Sequence, residues 1–416
     1  MSYQLKVRHP LITSILTTDT YKLTMSSLAF HDFPFAKVTY TFINRSKTQF
    51  PEGFDKELIN QLEMVAELAL TKSEFEWMNT IRFLRPTFIE WFRGYHYNPQ
   101  EVQIKQEGGA LQITIAGPWY RAIHWEVLLM ALISELYFTL LGVQKAPDWE
   151  ERIVKKAELL VAAGAFYSDF GTRRRFSGEV QDKVVEIFKG RPGFLGTSNP
   201  HLAHKHGVTA VGTFAHELIN FMSAAYSLRL ANSKGTEHWS NHFGGDLGIA
   251  LTDTYTTDVF LRDFDMFSAK LYDGVRHDSN DPYVWGEKML AHYEKLGIPA
   301  KQKRLIFSDN LKLAPADQKM VGDSYNYIAL HKHFQGRCQP SGGIGTFFTN
   351  DVQPTSLDGA PINPAFKPIS MVIKLATVQP RRGSDFIPVV KLSDVPTKHT
   401  GTAEVIQHVK RELGIA

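Results

Sequence analysis

The chain is almost without cysteine: Cys338 is its one thiol in 416 residues. That excludes an intrachain disulfide and any zinc cluster built on cysteine pairs, and it suits a reducing compartment. An excess of one charge is missing as well. Lysine and arginine number 46 against 43 aspartate and glutamate, a net charge of +3, which is too small for a nucleic-acid footprint. Long charge-free apolar runs are lacking too. The most apolar stretch, 125–142, is interrupted by Glu126 and Glu135, so its free runs fall far short of the roughly 20 residues of a bilayer span. Near the start, Lys6 and Arg8 precede LITSIL, which is too short for a signal-peptide core and runs into Asp19. The expectation is a cytoplasmic protein that engages neither membrane nor nucleic acid.

What is present is core-forming material. Hydrophobic residues make up 43% and charged residues 21%, so a sizeable core can be buried and disorder is not the theme. At roughly 100–200 residues per domain, the length suggests two domains, or one with an accessory layer. Strands are expected at 37–44, 101–107 and 110–116, the last two joined by Gly108-Gly109 as a type I′ hairpin would be. A helix is expected over 53–70, and further strands at 371–378 and 386–392. Strand candidates at both ends of the chain predict a discontinuous α+β domain, 1–125 plus 350–416, around a central domain of 126–349.

The middle has a different rhythm. Short β-prone runs at 165–169, 193–196, 208–212, 246–252, 271–275, 303–307 and 336–339 alternate with helical candidates. Those candidates are 148–163, 177–189, 214–231, 281–296 and 314–334. Repeated βα units imply a parallel α/β sheet, open or closed into a barrel. Nearly every β-prone run ends in a small or polar cluster, and in α/β barrels the active site is built at those strand ends. One such cluster would be ordinary helix capping; seven in sequence predict one shared site.

Each cluster has a plain alternative. The loop Ser341-Gly342-Gly343-Ile344-Gly345 offers bare amides for a phosphate, or is merely a turn. Arg173, Arg174 and Arg175 follow Phe170. An arginine can grip phosphate or carboxylate while the phenyl face stacks on a flat ring, but at least one of the three is expected to be a solvated charge before the next helix. Asp253, Asp278 and Asp309 each end a different strand, where carboxylates hold Mg²⁺ or sugar hydroxyls, or simply cap helices. His201 and His204 are spaced as a metal face but lack a third ligand. His216 follows a strand end directly and could be base, electrophile or nucleophile. Cys338 is expected to be a buried bystander, since no base stands near it in sequence. Tyr21 has no function that composition reveals. The residues together predict a site for a phosphorylated sugar, Mg²⁺ and a flat anionic ring.

Six motifs occur in order: Thr18-Asp19-Thr20-Tyr21-Lys22, Asp169-Phe170-Gly171-Thr172-Arg173-Arg174, Gly196-Thr197-Ser198-Asn199, Gly212-Thr213-Phe214-Ala215-His216-Glu217, Ala250-Leu251-Thr252-Asp253-Thr254 and Ser341-Gly342-Gly343. Together they resemble the nicotinate phosphoribosyltransferase family of the bacterial and yeast kind. The resemblance implies an irregular parallel α/β barrel of the type II phosphoribosyltransferase sort. It also implies transfer of phosphoribosyl from phosphoribosyl pyrophosphate to nicotinate, coupled to ATP hydrolysis and assisted by Mg²⁺. Phe170 would stack on the pyridine, sandwiched by Tyr21 from the neighbouring subunit of a homodimer. Arg173 and Ser198 would lie near the nicotinate carboxylate, and Gly342, Gly343 and Gly345 would bind phosphate. Asp253, Asp278 and Asp309 would serve ribose or the Mg²⁺-pyrophosphate, with Asp253 or Asp278 nearest the metal. His216 would be phosphorylated by ATP. Relatives that use nicotinamide carry an aspartate where Ser198 stands, so Ser198 is expected to leave the pocket open to an anion.

Three alternatives remain: a nicotinamide or quinolinate transferase, a phosphosugar aldolase or isomerase, and a non-catalytic phosphosugar sensor. Quinolinate's second carboxylate would demand more basic residues, and an aldolase a strand-end lysine, which the rim motifs do not contain.

Overall fold

The alternation of Val38, Tyr40 and Phe42 with polar neighbours makes Lys37–Asn44 a strand whose three apolar side chains are all buried. In the computed structural model, which describes residues 4–318, 320, 324–354, 363 and 366–415, this strand is the centre of a five-stranded antiparallel sheet. Met371–Gln379 pairs with one edge of it, in register Phe42↔Ile373, and Ala110–Pro118 with the other. Val102–Glu107 and the two-residue strand Ile387–Pro388 complete the sheet. Strands from both ends of the chain thus share one layer. At the hairpin only Gly108 takes a positive φ, 57°, whereas a type I′ turn needs two.

The second sheet is parallel throughout. Its six strands are Phe166–Asp169, Phe194–Thr197, Ile249–Leu251, Gly274–Arg276, Arg304–Phe307 and Gln339–Ile344. The strand that comes last in the chain lies between the first and Arg304–Phe307, and every other pair is consecutive in the chain. Beyond Phe194–Thr197 a single parallel bridge, Thr197↔Ala210, is all that forms of the strand expected at 208–212. Among the described residues no ladder joins Ala210 to Ile249–Leu251.

The connecting helices start where capping chemistry allows. Ser177 accepts from the Val180 amide, and Asp281 accepts from Tyr283 and Val284 ahead of Pro282 at the first helical turn. The helix expected over 214–231 is instead His216–Ala225, a short 3₁₀ turn and then a separate helix, Ala231–Phe243. In the second of these Gly235 packs directly on Ile219, where an added Cβ would meet Cδ1 at 2.3 Å. Of the helix expected over 314–334 only Tyr327–Phe334 forms; residues 319 and 321–323 lie outside the described residues. The apolar stretch is the helix Trp125–Leu140, which the rest of the protein surrounds: 14 of its side chains are buried. Its two acids are paired, Glu126 with Lys22 and Glu135 with Arg175.

The helix Thr20–Asp32 joins the two layers. Its first amide donates to the Ser198 carbonyl at 2.6 Å, and Thr24 Oγ1 donates to the Thr213 carbonyl at 2.9 Å. It therefore docks on the C-terminal ends of the parallel strands, which face one side of the antiparallel sheet across a cavity.

Candidate active site

That cavity has a volume of about 590 Å³. Val372 to Leu375 of the antiparallel sheet form one wall, and the opposite wall is built from Phe170, Asp278, Ser308, Asp309, Gly343 and Gly345 at the parallel strand ends.

The aromatic end starts from Asp169. Its buried carboxylate accepts from the Gly171 amide at 2.8 Å, Gln181 Nε2 at 2.9 Å and Thr197 Oγ1 at 2.7 Å, and so shapes the loop that follows. Burial pushes this acid up to about 6. Phe170 then lines the cavity, and so does Tyr21, from the same chain. Docking of Thr20–Asp32 on Ser198 sets Tyr21 in the same cavity as Phe170 of its own chain. Gly343 lies against Phe170, where an added Cβ would stand 3.3 Å from the ring.

Arg173 and Arg174 both line the cavity. Burial, with Arg173 and Arg45 nearby, lowers Arg174 to about 10, a mark of concentrated positive charge. Arg175 is not the solvated member expected; it is buried against Glu135 at 3.1 Å. Ser198 is also corrected. It is fully buried, does not line the cavity, and donates its hydroxyl to Asp19 Oδ1 at 2.6 Å. The other Asp19 oxygen lies 3.4 Å from Arg173 Nε. A carboxylate therefore stands behind Arg173.

His216 is the first residue of its helix and is buried. Nδ1 faces Thr254 Oγ1 at 3.0 Å and Nε2 faces Asp278 Oδ2 at 2.8 Å. Thr254 is enclosed, whereas Asp278 is partly exposed to the cavity, so Nε2 is the nitrogen on the cavity side. Burial and then Lys391 lower the imidazole to about 4. It is neutral at physiological pH, and the ionised Asp278 places the ring proton on Nε2. Burial opposes the charge on Asp278, but Lys391 and His216 hold it well below the usual carboxylate range. Asp253 stands behind, enclosed and outside the cavity lining, with Oδ1 3.7 Å from His216 Nε2 and Oδ2 accepting from Ser279 Oγ. Lys391 Nζ lies 3.4 Å from Asp278 and 3.6 Å from Asp253.

Asp309 lines the cavity from a left-handed pair, Asp309 at φ 70° and Asn310 at φ 53°, a conformation these two residue types tolerate. Lys398 Nζ bonds it at 2.5 Å, and burial raises its carboxyl. The glycine motif departs from expectation. Ser341, Gly342 and Gly343 belong to the strand Gln339–Ile344, hydrogen-bonded between two neighbours, and are not a loop. Gly342 faces Tyr327, whose ring an added Cβ would meet at 2.7 Å, so it lines no part of the cavity. Gly343 and Gly345 do, and Thr346 and Phe347 follow where the strand ends.

Sequence reasoning missed the cations. Lys374, Lys391 and Lys398 line the cavity, so the absence of lysine from the rim motifs excluded less than it suggested. They come from the tail and its sheet, outside the parallel strands whose ends the motifs mark. Arg45, also missed, lines it too, as does Arg276 of the strand-end cluster that holds Asp278. The remaining histidines stay apart: His201 pairs with Glu74 at 3.5 Å and His204 bonds Ser73 at 2.9 Å. Cys338 is buried and its thiol is pushed up to about 12 by burial, which makes it inert.

A family model described as the nicotinate phosphoribosyltransferase (NAPRTase) family matches residues 166–416, and one for the N-terminal domain of that family matches residues 16–134. The nicotinate phosphoribosyltransferase of Chromohalobacter salexigens is 40% identical over 411 residues, covering 98% of this chain and 99% of the relative. That of Desulforapulum autotrophicum is 40% identical over 408 residues, 97% of this chain and 99% of the relative. Among solved structures, the nicotinate phosphoribosyltransferase of Porphyromonas gingivalis superposes with a TM-score of 0.89 at 39% identity, over 97% of this chain and 100% of that one. A putative nicotinate phosphoribosyltransferase of Saccharomyces cerevisiae gives 0.88 at 31%, over 98% and 99%.

Proposed function

The chain belongs to the nicotinate phosphoribosyltransferase family, an assignment that makes its reaction phosphoribosyl transfer to nicotinate in NAD salvage, and from that premise we propose how its residues divide the work. Phe170 and Tyr21 clasp the pyridine and Arg173 receives its carboxylate. Asp278 and Asp309 hold the ribose and pyrophosphate, Gly343 and Gly345 the 5′-phosphate, and His216 is phosphorylated by ATP. The observation that carries this is the convergence of Tyr21, Phe170, Arg173 and the His216–Asp278 pair on one cavity.

In the transfer, the pyridine nitrogen's lone pair forms the bond to the anomeric carbon as the bond to pyrophosphate breaks. No general base is needed. The site must instead stabilise an oxocarbenium-like transition state and a departing anion, which is work for fixed charge. Arg174, Lys374, Lys391 and Lys398 supply it for the departing anion, and Asp278 and Asp309 for the cationic ribose.

The donor set suits Mg²⁺. Ligand atoms of His216, Asp253 and Asp278 lie within 4.8 Å of one another, and Asp253 Oδ1 is buried without a hydrogen-bond partner. Lys391 already offsets part of that negative charge, so Asp278 and Asp253 are proposed to hold the ion together with substrate pyrophosphate. Bound there, Mg²⁺ would neutralise charge on the leaving group.

Phosphorylation on Nε2 requires the ring to carry its proton on Nδ1, where Thr254 Oγ1 accepts it, and Asp278 to release Nε2. The N–P bond then forms as the bond from the γ-phosphorus to ADP breaks, and later hydrolysis returns free histidine and phosphate. Because burial and Lys391 lower the ring to about 4, protonation does not compete at ordinary pH. The rate of phosphohistidine formation at saturating Mg-ATP is expected to stay flat from about pH 8 down to about pH 5. A fall with its midpoint at the ordinary histidine value would contradict the depressed state.

The strand order, with the last strand closing onto the first, supports an irregular barrel open between Ala210 and Ile249. We propose that 126–349 forms it, with the segments 1–125 and 350–416 capping it. Within one chain Tyr21 and Phe170 line one cavity. The test is nicotinate mononucleotide formation with and without Mg-ATP, alongside ³¹P NMR for acid-labile phosphate on His216. Equal rates in both arms and no phosphohistidine would overturn the ATP coupling while leaving the transfer intact.

A further inference from the structure

Two pairs of consecutive residues meet at the cavity wall. Tyr21 and His216 face the cavity, at its aromatic and phosphoryl ends. Their chain neighbours, Lys22 and Glu217, are bonded to each other: Lys22 Nζ lies 2.7 Å from Glu217 Oε2. Each pair sits in the first turn of its helix, Thr20–Asp32 and His216–Ala225.

The link is enclosed and fully partnered. Lys22 is 0% exposed and also touches Glu126. Glu217 Oε1 accepts from Trp119 Nε1 at 2.7 Å and from the Tyr40 hydroxyl. Burial works against the charge on Lys22, but Glu126 and Glu217 outweigh it and hold the ammonium above its ordinary value. Lys22 bridges Glu126 and Glu217, and parting it from Glu217 would leave that buried carboxylate with neutral donors only, which resists the separation. A displacement of the first turn at His216 therefore carries Lys22, and with it Tyr21.

We propose that the Lys22–Glu217 ion pair is a positioning link through which phosphorylation of His216 tightens the Tyr21 side of the nicotinate cradle. This rests on the phosphohistidine assignment above. A phosphoryl group adds about −1.5 to −2 charges at a helix N-terminus beside Asp253, Asp278 and Lys391. The ring loses its hydrogen bond to Asp278, and the first turn must readjust. Glu217 lines the cavity beside His216, and Lys22, enclosed behind it, carries that readjustment to Tyr21.

Glu217→Gln tests it. The amide keeps an oxygen for Tyr40 and Trp119 but loses the charge that holds Lys22. The apparent KM for nicotinate is measured with and without ATP on the full chain, and phosphohistidine is read by ³¹P NMR in the same preparations. The expected result is that phosphohistidine still forms while the ATP-induced drop in KM shrinks about tenfold, within the range of ordinary coupling energies. Lys22→Arg, which keeps the pair, should retain the drop. An undiminished drop in Glu217→Gln overturns the link, as does a fall in kcat with the drop intact, which is a structural effect only. Should Glu217→Gln not fold, Lys22→Met breaks the same pair from its other side, and an unchanged drop there overturns the link equally. A parent protein that forms no phosphohistidine overturns the underlying assignment instead, and the two failures are read in separate spectra.

Discussion

Replacing His216 by glutamine is expected to abolish ATP hydrolysis while leaving a slow ATP-independent transfer of phosphoribosyl to nicotinate. The glutamine amide can still donate to Asp278, so the hydrogen bond that Nε2 makes at 2.8 Å has a substitute. What it cannot do is form a phosphoryl intermediate, because an amide nitrogen has no nucleophilic lone pair. ATPase activity should fall by at least about 10³-fold, equivalent to roughly 4 kcal/mol of barrier. The transfer should keep its chemistry, since the pyridine nitrogen needs no base, and lose only the enhancement that ATP provides. Intact mass of the parent and variant after incubation with Mg-ATP checks the first point; nicotinate mononucleotide formation without ATP checks the second. Full ATPase activity in the variant would place the phosphoryl acceptor elsewhere. Equal loss of both activities would make His216 part of the transfer itself.

The parts of this site that the sequence makes legible are those where local periodicity and site chemistry coincide. Phe170, Arg173, His216, Asp278 and Asp309 all follow short β-prone runs, and all five line the cavity. Strand Lys37–Asn44 is legible because burial alternates with the pleat. Helix Thr20–Asp32 is not, because it is enclosed on nearly every side and its polar residues are satisfied by distant partners. Thr20 bonds Ser198, Thr24 bonds Thr213 and Lys22 bonds Glu217. A stripe of one polarity never forms on such a helix. The tail cations are hidden for another reason. Lys374 alternates on an edge-to-centre strand, Lys391 lies at an isolated bridge and Lys398 in a short 3₁₀ turn. Their convergence depends on how the tail returns to the first strand, which no local pattern encodes. The glycine motif misleads for a third reason. Glycines that let an anion approach and glycines that let Tyr327 and Phe170 pack on a strand are identical in sequence.

Arg173 and Asp19 make opposite predictions for base selectivity, and together they replace the expectation placed on Ser198. A guanidinium bonded to a carboxylate contributes about 1.5–3 kcal/mol, so Arg173→Gln should raise KM for nicotinate by roughly 10- to 100-fold while moving nicotinamide little. Asp19 is buried behind that guanidinium, 3.4 Å from Nε, and competes with the substrate for the same charge. Asp19→Asn keeps an oxygen to accept from Ser198 Oγ but removes the competitor. It should lower KM for nicotinate by a few-fold and sharpen the preference over nicotinamide. Burial already raises the Asp19 carboxyl above its ordinary value, so acidification neutralises it earlier than a surface aspartate. Nicotinate selectivity in the parent should therefore rise as the pH falls toward that raised value, and the rise should be missing in Asp19→Asn. Ser198→Asp would set a second carboxylate against Asp19, so its expected effect is loss of stability ahead of any change of base. The ratio of kcat/KM for the two bases, measured in Arg173→Gln and Asp19→Asn across pH, decides the matter. Shifts of the same sign in both variants would mean that Arg173 orders the loop and does not read the carboxylate.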